Sequence, residues 1–509
     1  MNKTFSKKFS YTFYKILISC ILIGQYVIAS ADVIDSSGIR WPIPDWGKAQ
    51  NNENVQAKLA SKQCLDFFKF STKNKKFLTE GLVVIRKGTI EYEGYDSKYG
   101  INAPHVLWSI SKTITGALLG VAIRDGKITL DQKLNEFYPR PDASDNYQKI
   151  KIENLFYLDT GFLWNEYYSG NVRQSPVLNM LYGTGHADVA DFASRKEIIS
   201  EGPGYKWNYS TGTPAITMGV LKSVYGKEYD EMPWKLFFNP LSINRASFER
   251  DHRGVFNGGS SAFATPREMA KIGYLYLNRG MWNGEEILTE DWIEKTLKVS
   301  PGYISNGTVI RDITDDGVYG GSIWLNRSVK KGFGKPYPTS PEDMFLALGH
   351  YGQMIIVLPS QDMVIARTGY DQEYNSNVDE FVSRAISCFD DPKYPIGKNI
   401  PPPAYSKNSI LAILNTLKSA LQTKMMQATV AKTICSCHFI SGLDVNTCLE
   451  RSNIPVAKQL TTVFIKNNTV YSEQSKFANF FLKVFGLDSE KKAQASFNKN
   501  HPEFGCTLK

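Results

Sequence analysis

Two segments with the pattern of β-hairpins lie far apart in this chain. The first, EGLVVIRKGTIEYEGY at residues 80–95, has two apolar runs around a Lys-Gly turn. The second, GQMIIVLPSQDMVIARTGY at residues 352–370, turns at Ser-Gln-Asp. The stretch between them carries helix signals such as REMAKIGYLYLNRG at residues 267–280, which ends in glycine. Strands at both ends predict one sheet assembled from distant segments, with an inserted mainly helical region. The fold class is therefore α/β or α+β, rather than a repeated series of βαβ units.

The first 31 residues differ in kind from the rest of the chain. They contain four lysines and no acidic residue, then a short apolar run that ends in Ala29-Ser30-Ala31. This order is typical of a secretory signal peptide, and the run is too short for a membrane span. We therefore expect an exported protein, periplasmic or secreted after removal of the signal. Cys20 also offers a weaker match to a lipoprotein signal.

Composition divides the remainder into three segments. We predict a main domain at residues 32–390, a Pro-rich linker at residues 391–406, and a small cysteine-containing C-terminal module at residues 407–509. The formal charge is +9, and the four lysines of the signal account for nearly half of it. Without a long basic run elsewhere, the mature chain gives no reason to expect a nucleic-acid partner, and it shows no membrane span.

Seven cysteines become six once the signal is removed. An even number in an exported chain favours disulfides, although the sequence leaves their connectivity open. Four of them lie late, at Cys435, Cys437, Cys448 and Cys506. Cys-Ser-Cys followed by His438 is compatible with half of a zinc site, but an oxidising compartment favours disulfides over metal.

A Ser-x-x-Lys pattern occurs four times and is uninformative alone. Only the copy in LWSISKTITGALLG, at Ser109 and Lys112, opens an apolar helix; the others, at Ser328, Ser489 and Ser496, lie in polar surroundings. Ser109 and Lys112 are three residues apart and share a helical face, whereas Ser111 points elsewhere. A helix N-terminus also offers free N–H groups to a developing oxyanion. The alternative is that Ser109 only caps a buried helix.

A serine nucleophile needs a base. The Gly-x-Ser-x-Gly pattern of α/β-hydrolases is absent, and GGSSA at residues 258–262 is the nearest approach. A lysine base is the alternative, and a nearby tyrosine would share its proton. PGYKWNYSTGTPAITMGVL at residues 203–221 supplies a candidate, Tyr209, ahead of an apolar helix. Otherwise, Tyr209 is a core aromatic residue.

The segment LGHYGQMIIVLP at residues 348–359 places Gly349 and Gly352 at the start of a strand. Glycine weakens a strand, and one reason for it is the close approach of a ligand to the backbone. We expect an edge strand here that passes the nucleophile and donates the N–H of Gln353 to an oxyanion. His350 alone is more often structural than functional.

Together these motifs resemble the serine β-lactamase and penicillin-recognising superfamily, most closely its class C branch with the 6-aminohexanoate-dimer hydrolases and related esterases. The resemblance covers roughly residues 60–390 and includes NGGSSAFATPREMAKIGYLYLNRGMWNGEEIL between the tyrosine motif and the glycine strand. It implies a β-lactamase/transpeptidase-like fold, in which an antiparallel sheet from the N- and C-terminal segments is flanked by helices. It also implies a disulfide between Cys64 and Cys388, near the first and last helices of the α/β domain.

The resemblance also implies residue roles. Ser109 matches the nucleophile, Lys112 the lysine and Tyr209 the tyrosine, and His350-Tyr351-Gly352 matches the Lys-Thr-Gly strand. The oxyanion hole is implied at the N–H groups of Ser109 and Gln353. The mechanism is a two-step one through an acyl-enzyme, without metal or cofactor.

Two residues depart from the β-lactamases of this branch. Thr211 stands in place of an asparagine that contacts the substrate amide, and His350 stands in place of a lysine that holds the β-lactam carboxylate. Both changes favour an esterase or amidase that acts on a small-molecule ester or amide. A D-alanyl-D-alanine carboxypeptidase or weak β-lactamase is the alternative, and a catalytically silent binding protein of the same fold is the second.

Overall fold

The computed structural model describes residues 33–34, 38–47, 64, 78–166, 168, 174–305, 308–309, 317–329, 334–371, 378–397, 425–451, 460–476, 478–479 and 492–509. Residues 1–31, which we predicted to be a signal peptide, and most of the predicted Pro-rich linker lie outside these residues. Within them, no helix is long and apolar enough to cross a bilayer.

The strands that build the three larger sheets are, in chain order, β1 (Thr79–Arg86), β2 (Thr89–Tyr95), β3 (His105–Val106), β4 (Ser247–Phe248), β5 (Ala262–Ala264), β6 (Val318–Tyr319), β7 (Trp324–Leu325), β8 (Phe345–Gly349), β9 (Gln353–Leu358), β10 (Met363–Gly369), β11 (Thr461–Lys466), β12 (Thr469–Gln474), β13 (Lys492–Phe497) and β14 (Cys506–Leu508). Shorter strand pairs join Val33–Ile34 to Arg40–Trp41, Met281–Trp282 to Glu285–Glu286, and Ile304–Ser305 to Thr308–Val309.

The α-helices are α1 (Ile110–Arg124), α2 (Leu134–Phe137), α3 (Ile152–Tyr157), α4 (Pro176–Tyr182), α5 (Val189–Ser194), α6 (Gly212–Tyr225), α7 (Pro266–Leu277), α8 (Glu290–Thr296), α9 (Val378–Phe389), α10 (Met425–Phe439) and α11 (Val445–Glu450). The helix predicted within residues 267–280 is present as α7, and Thr265 closes a capping box with Glu268 at its start.

The main sheet joins the two distant hairpins. Its order is β6-β7-β8-β9-β10-β1-β2, and every neighbouring pair is antiparallel. The contact between the hairpins is β10 against β1, where Ile365 lies opposite Val84. The first hairpin turns through Lys87 and Gly88, both with positive φ, as a tight two-residue turn requires. The predicted sheet from distant segments is confirmed.

One detail of the sheet was predicted wrongly. The strand that begins at Gln353, β9, is not an edge strand, because β8 pairs with it on one side and β10 on the other. Three further strands, β6 to β8, extend the sheet beyond it, and two of these are only two residues long. Strands this short carry too little alternation to be recognised in sequence.

Both faces of the sheet are covered by helices. In β1, Val83 and Ile85 face the large core that contains α1 and α7, while Val84 faces a second core with Phe381 of α9. This alternation explains why the strand reads as a continuous apolar run. A side chain at Gly273 of α7 would overlap Val364 and Ile355, so glycine allows the helix to lie close to the sheet.

The C-terminal module has a core of its own. Strands β11 to β14 form a four-stranded antiparallel sheet in sequence order, and α10 packs against it. Disulfides join Cys435 to Cys506 and Cys437 to Cys448. Both cysteines of the Cys-Ser-Cys-His segment are therefore in disulfides, as the oxidising-compartment interpretation predicted.

A third disulfide joins Cys64 to Cys388, with the two Cα atoms 4.9 Å apart. Cys388 lies in α9, and both residues are buried. The disulfide implied by the family resemblance is thus confirmed, and it ties the start of the main domain to its last helix.

Candidate active site

Helix α1 presents Ser109 at its N-terminus. The helix is buried from Ile110 through Ala122, which fixes its position against the core. Trp108, the residue before it, has φ of 48°, a left-handed conformation that is uncommon for a bulky side chain. Ser109 occupies the N-cap position, but its side chain makes no capping hydrogen bond. Ser109 therefore does not cap the helix through its hydroxyl.

Lys112 lies one turn into the helix and is almost completely buried, at 1% exposure. Its Nζ donates to Ser109 Oγ at 2.9 Å, to Thr211 Oγ1 at 3.0 Å and to the carbonyl of Gly259 at 3.0 Å. Burial disfavours the charged form and lowers the pKa of Lys112 to about 8, while the nearby carboxylate of Glu166 acts in the opposite direction. The site thus holds a lysine near the pKa that a general base needs at neutral pH.

Tyr209 joins this pair from the loop before α6. Its ring centroid lies 4.6 Å from Lys112 Nζ. The ring stacks on Trp324 at 5.4 Å and meets Tyr319 edge-on at 5.8 Å, which fixes its plane. The three residues named from sequence are therefore brought together, with the lysine over the face of the tyrosine ring.

Ser111 has a structural role at the contact between α1 and β5. It is fully buried, and its Oγ accepts a hydrogen bond from the N–H of Ala262 at 3.0 Å. It therefore ties α1 to β5, as expected of a supporting neighbour.

Glu166 is a site residue that sequence reasoning missed. Its carboxylate accepts hydrogen bonds from the N–H of Thr211 and, at 3.1 Å, from the hydroxyl of the same residue. Trp164 and Tyr168 also donate to it, at 2.7 and 2.9 Å. Because Thr211 contacts Lys112 directly, Glu166 reaches the lysine through one hydroxyl. An acidic residue among aromatics in LWNEYYSG was the available signal.

His350 lies at the turn between β8 and β9, among aromatic rings. Ring centroids of Tyr351, Tyr168 and Trp108 lie 4.0, 5.2 and 5.8 Å from its own. Burial lowers the pKa of His350 to about 4, so the imidazole is neutral at pH 7. The position thus lacks the fixed positive charge of a lysine.

The two glycines of this turn have a structural reason. A side chain at Gly349 would overlap the carbonyl of Leu107, just before the nucleophile. Gly352 has φ of 80°, and a side chain there would strike the ion pair of Arg367 and Asp371. Both glycines therefore leave room for neighbouring protein atoms. The sequence analysis had instead suggested that they allow a ligand to approach the backbone.

Gln353 is buried at the first position of β9, opposite Gly349. Its side-chain amide donates to the carbonyls of Gly369 at 2.7 Å and His350 at 3.2 Å. The side chain therefore braces the turn that carries His350. The role of its backbone N–H in an oxyanion hole stays a prediction.

Comparison with known proteins identifies the family of the chain. The family profile described as Beta-lactamase matches residues 70–375, more than half of the chain. A 6-aminohexanoate-dimer hydrolase of Paenarthrobacter ureafaciens is 21% identical over 275 residues, which cover 49% of this chain and 69% of that protein.

Two solved structures share the fold. One, from Bacillus anthracis and provisionally named 6-aminohexanoate-dimer hydrolase, has a TM-score of 0.51 and 20% identity. The match covers 63% of this chain and 80% of that protein. The other, EstCE1, a hydrolase with promiscuous acyltransferase activity, has a TM-score of 0.50 and 13% identity, and covers 66% of this chain and 99% of its own. With its serine and lysine at the start of a buried helix beside an antiparallel sheet, the chain belongs to the β-lactamase family, within the serine β-lactamase and penicillin-recognising superfamily.

Proposed function

We propose that the protein is an exported serine hydrolase that cleaves small linear amides or esters through an acyl-enzyme on Ser109. The 2.9 Å hydrogen bond between Lys112 and Ser109 carries this proposal. A serine hydroxyl becomes a competent nucleophile when an adjacent base takes its proton. Lys112, with a pKa of about 8, is a base of suitable strength in direct contact.

In this mechanism, Ser109 Oγ attacks the substrate carbonyl and Lys112 accepts the hydroxyl proton. Tyr209, beside the lysine, passes a proton to the leaving amine or alcohol. Water then attacks the acyl-enzyme, and the same groups return the proton to Ser109. The N–H groups of residues 110–112 already bond to the carbonyls of residues 107–109. As the family resemblance implies, we assign the oxyanion to the N–H groups of Ser109 and Gln353.

Two features support amides and esters over β-lactams. The neutral His350 supplies no charge for a substrate carboxylate. Thr211 is engaged by Lys112 and by Glu166, and its hydroxyl is therefore committed to the protein instead of a substrate amide. The similarity to 6-aminohexanoate-dimer hydrolases supports a linear amide as the first substrate to try.

The test is a substrate panel on the mature parent protein and on Ser109→Ala. The panel contains a p-nitrophenyl butyrate ester, the linear dimer of 6-aminohexanoate, a D-alanyl-D-alanine peptide and a penicillin. We expect turnover of the ester or the linear dimer that disappears in Ser109→Ala. Turnover of the peptide, or a stable acyl-enzyme with penicillin and no turnover of the first two, would favour the peptidase alternative.

A further inference from the structure

A cavity of about 110 Å³ lies between the main domain and the C-terminal module. The main domain contributes His105, Trp108 and Asn257 to its wall, and the module contributes Lys432, Thr433 and Arg451. Ser109, Lys112 and Tyr209 do not line it. Trp108 directly precedes Ser109 in the chain, so the cavity lies close to the nucleophile without including it.

The charged groups of this cavity are paired across the boundary between the two units. Lys432 Nζ lies 2.6 Å from Glu249 Oε2, and Arg451 forms an ion pair with Glu80. Glu249 also accepts hydrogen bonds from the Ser436 hydroxyl and the Cys506 N–H. With two cations and two carboxylates in pairs, the cavity has no net charge to attract an ion.

Two buried polar atoms in the wall lack both a hydrogen-bond partner and an ion-pair partner within the described part of the chain; Glu80 Oε1 also has no hydrogen bond but is in the ion pair with Arg451. The two atoms are His105 Nε2 and Asn257 Oδ1, on side chains that are 4% and 9% exposed. Most buried polar groups are hydrogen-bonded, and a buried polar group left unpaired destabilises the folded protein. A bound molecule that hydrogen-bonds to these two atoms would remove this destabilisation, so we expect the cavity to hold one.

The tautomer of His105 follows from its surroundings. Its Nδ1 lies 3.3 Å from Glu80 Oε2. Burial lowers the pKa of His105 to about 3, so the ring is neutral at pH 7. A neutral imidazole that faces a carboxylate through Nδ1 carries its hydrogen there, which makes Nε2 an acceptor. Both unpaired atoms therefore call for a donor from the occupant.

The remaining wall is largely aromatic. Tyr99 stacks on His105 with ring centroids 4.2 Å apart, and Tyr351 stacks on Tyr370 at 5.1 Å. All four rings line the cavity, together with Trp108. A cavity of about 150 Å³ holds benzene, so the volume here is of the order of one six-membered ring.

We propose that this cavity binds a small neutral molecule of one ring that carries an O–H or N–H donor, such as a phenol. The ring packs against the aromatic wall, and its donor pairs with His105 Nε2 or Asn257 Oδ1. The nucleophile and its proton-transfer partners, Ser109, Lys112 and Tyr209, do not line this cavity, although Gln353, which we assign to the oxyanion hole, does.

The first test uses the parent protein and two ligands of nearly the same shape. In calorimetric titrations at pH 7, we expect phenol to bind with a 1:1 stoichiometry. Fluorobenzene, which lacks the donor, should bind at least about tenfold more weakly, since a buried acceptor then stays unpaired. Benzoate should also bind more weakly, because the paired charges leave its carboxylate without a partner. Equal affinity for the three ligands, or no binding of phenol, would overturn the proposal.

Variants locate the site. Thr433→Phe fills the cavity from the module side, whereas Thr433→Ala leaves it open. We expect the first to lose phenol binding at least tenfold and the second to keep it. Ser109→Ala should bind phenol like the parent. Loss of binding in Ser109→Ala, or unchanged binding in a folded Thr433→Phe, would place phenol elsewhere and contradict the proposal.

Discussion

Lys112 and Ser109 are joined by a hydrogen bond of 2.9 Å between Nζ and Oγ, within the first turn of α1. The lysine is buried while the serine is partly exposed. Substrate can therefore reach the serine, whereas water has little access to the base. The site thus combines an accessible serine with a buried lysine whose pKa is lowered.

The first prediction concerns pH. Protonated Lys112 cannot accept the serine proton, and its pKa is lowered by burial to about 8. We expect kcat/KM for a neutral ester to rise about tenfold per pH unit below pH 8 and to level off above it. The profile should be measured in the range where the protein stays folded by circular dichroism. A profile that falls between pH 7 and 9 would contradict a lysine base.

Glu166→Gln should move this profile. The carboxylate of Glu166 raises the pKa of Lys112, against the larger effect of burial. Removing its charge should therefore shift the midpoint to lower pH and increase the active fraction at pH 7. Glutamine keeps one oxygen to accept from Thr211. The control is Glu285→Gln, an exposed carboxylate far along the chain, which should leave the midpoint unchanged. A midpoint that moves to higher pH in Glu166→Gln would show that the electrostatic account is wrong.

Tyr209→Phe tests the third site residue. The substitution keeps the ring that stacks on Trp324 and lies beneath Lys112. We expect thermal unfolding to change little and kcat/KM to fall by roughly 10²–10⁴, the usual contribution of a general acid or base. Initial rates with an ester and an amide provide the measurement, and the amide should lose more because its leaving group needs the proton. An active enzyme with parent rates for both substrates would exclude a catalytic role for the hydroxyl.

The main domain and the C-terminal module are joined by a buried ion pair, and its removal should cost stability. Lys432→Met leaves the carboxylate of Glu249 buried without its cation. We expect a loss of about 3–5 kcal/mol in the free energy of unfolding.

The matched double variant, Glu249→Gln with Lys432→Met, should recover much of that loss, because glutamine still accepts from Ser436 and from the N–H of Cys506. Denaturant unfolding of both variants measures the difference. Equal stability of the single and double variants would mean that the charge on Glu249 is not responsible.

Sequence reasoning could predict which residues lie together where they are close along the chain. Ser109 and Lys112 share one helical turn, and the hairpin with Lys87 and Gly88 has a local turn signal, so both could be predicted. Tyr209 is 97 positions beyond Lys112, and only its place in the motif order pointed to it.

The parts that were missed depend on distant packing. Glu166 acts on Lys112 through Thr211, a contact across 45 residues that no local pattern encodes. The position of β9 inside the sheet depends on the very short strands β6 and β7, whose residues carry no strand signal of their own. The cavity between the two units combines residues from 80 to 451, so its existence follows only from the tertiary structure.

The central claim is that Ser109 is an activated nucleophile. The most direct test is the intact mass of the mature protein after treatment with a fluorophosphonate serine probe, with Ser109→Ala treated in parallel. The account predicts a single adduct on the parent and none on the variant, with peptide mapping that places it on Ser109. A folded parent that gains no adduct would contradict it and favour a binding protein that retains the family fold. An adduct that persists in Ser109→Ala would contradict it by placing the reactive group at another residue.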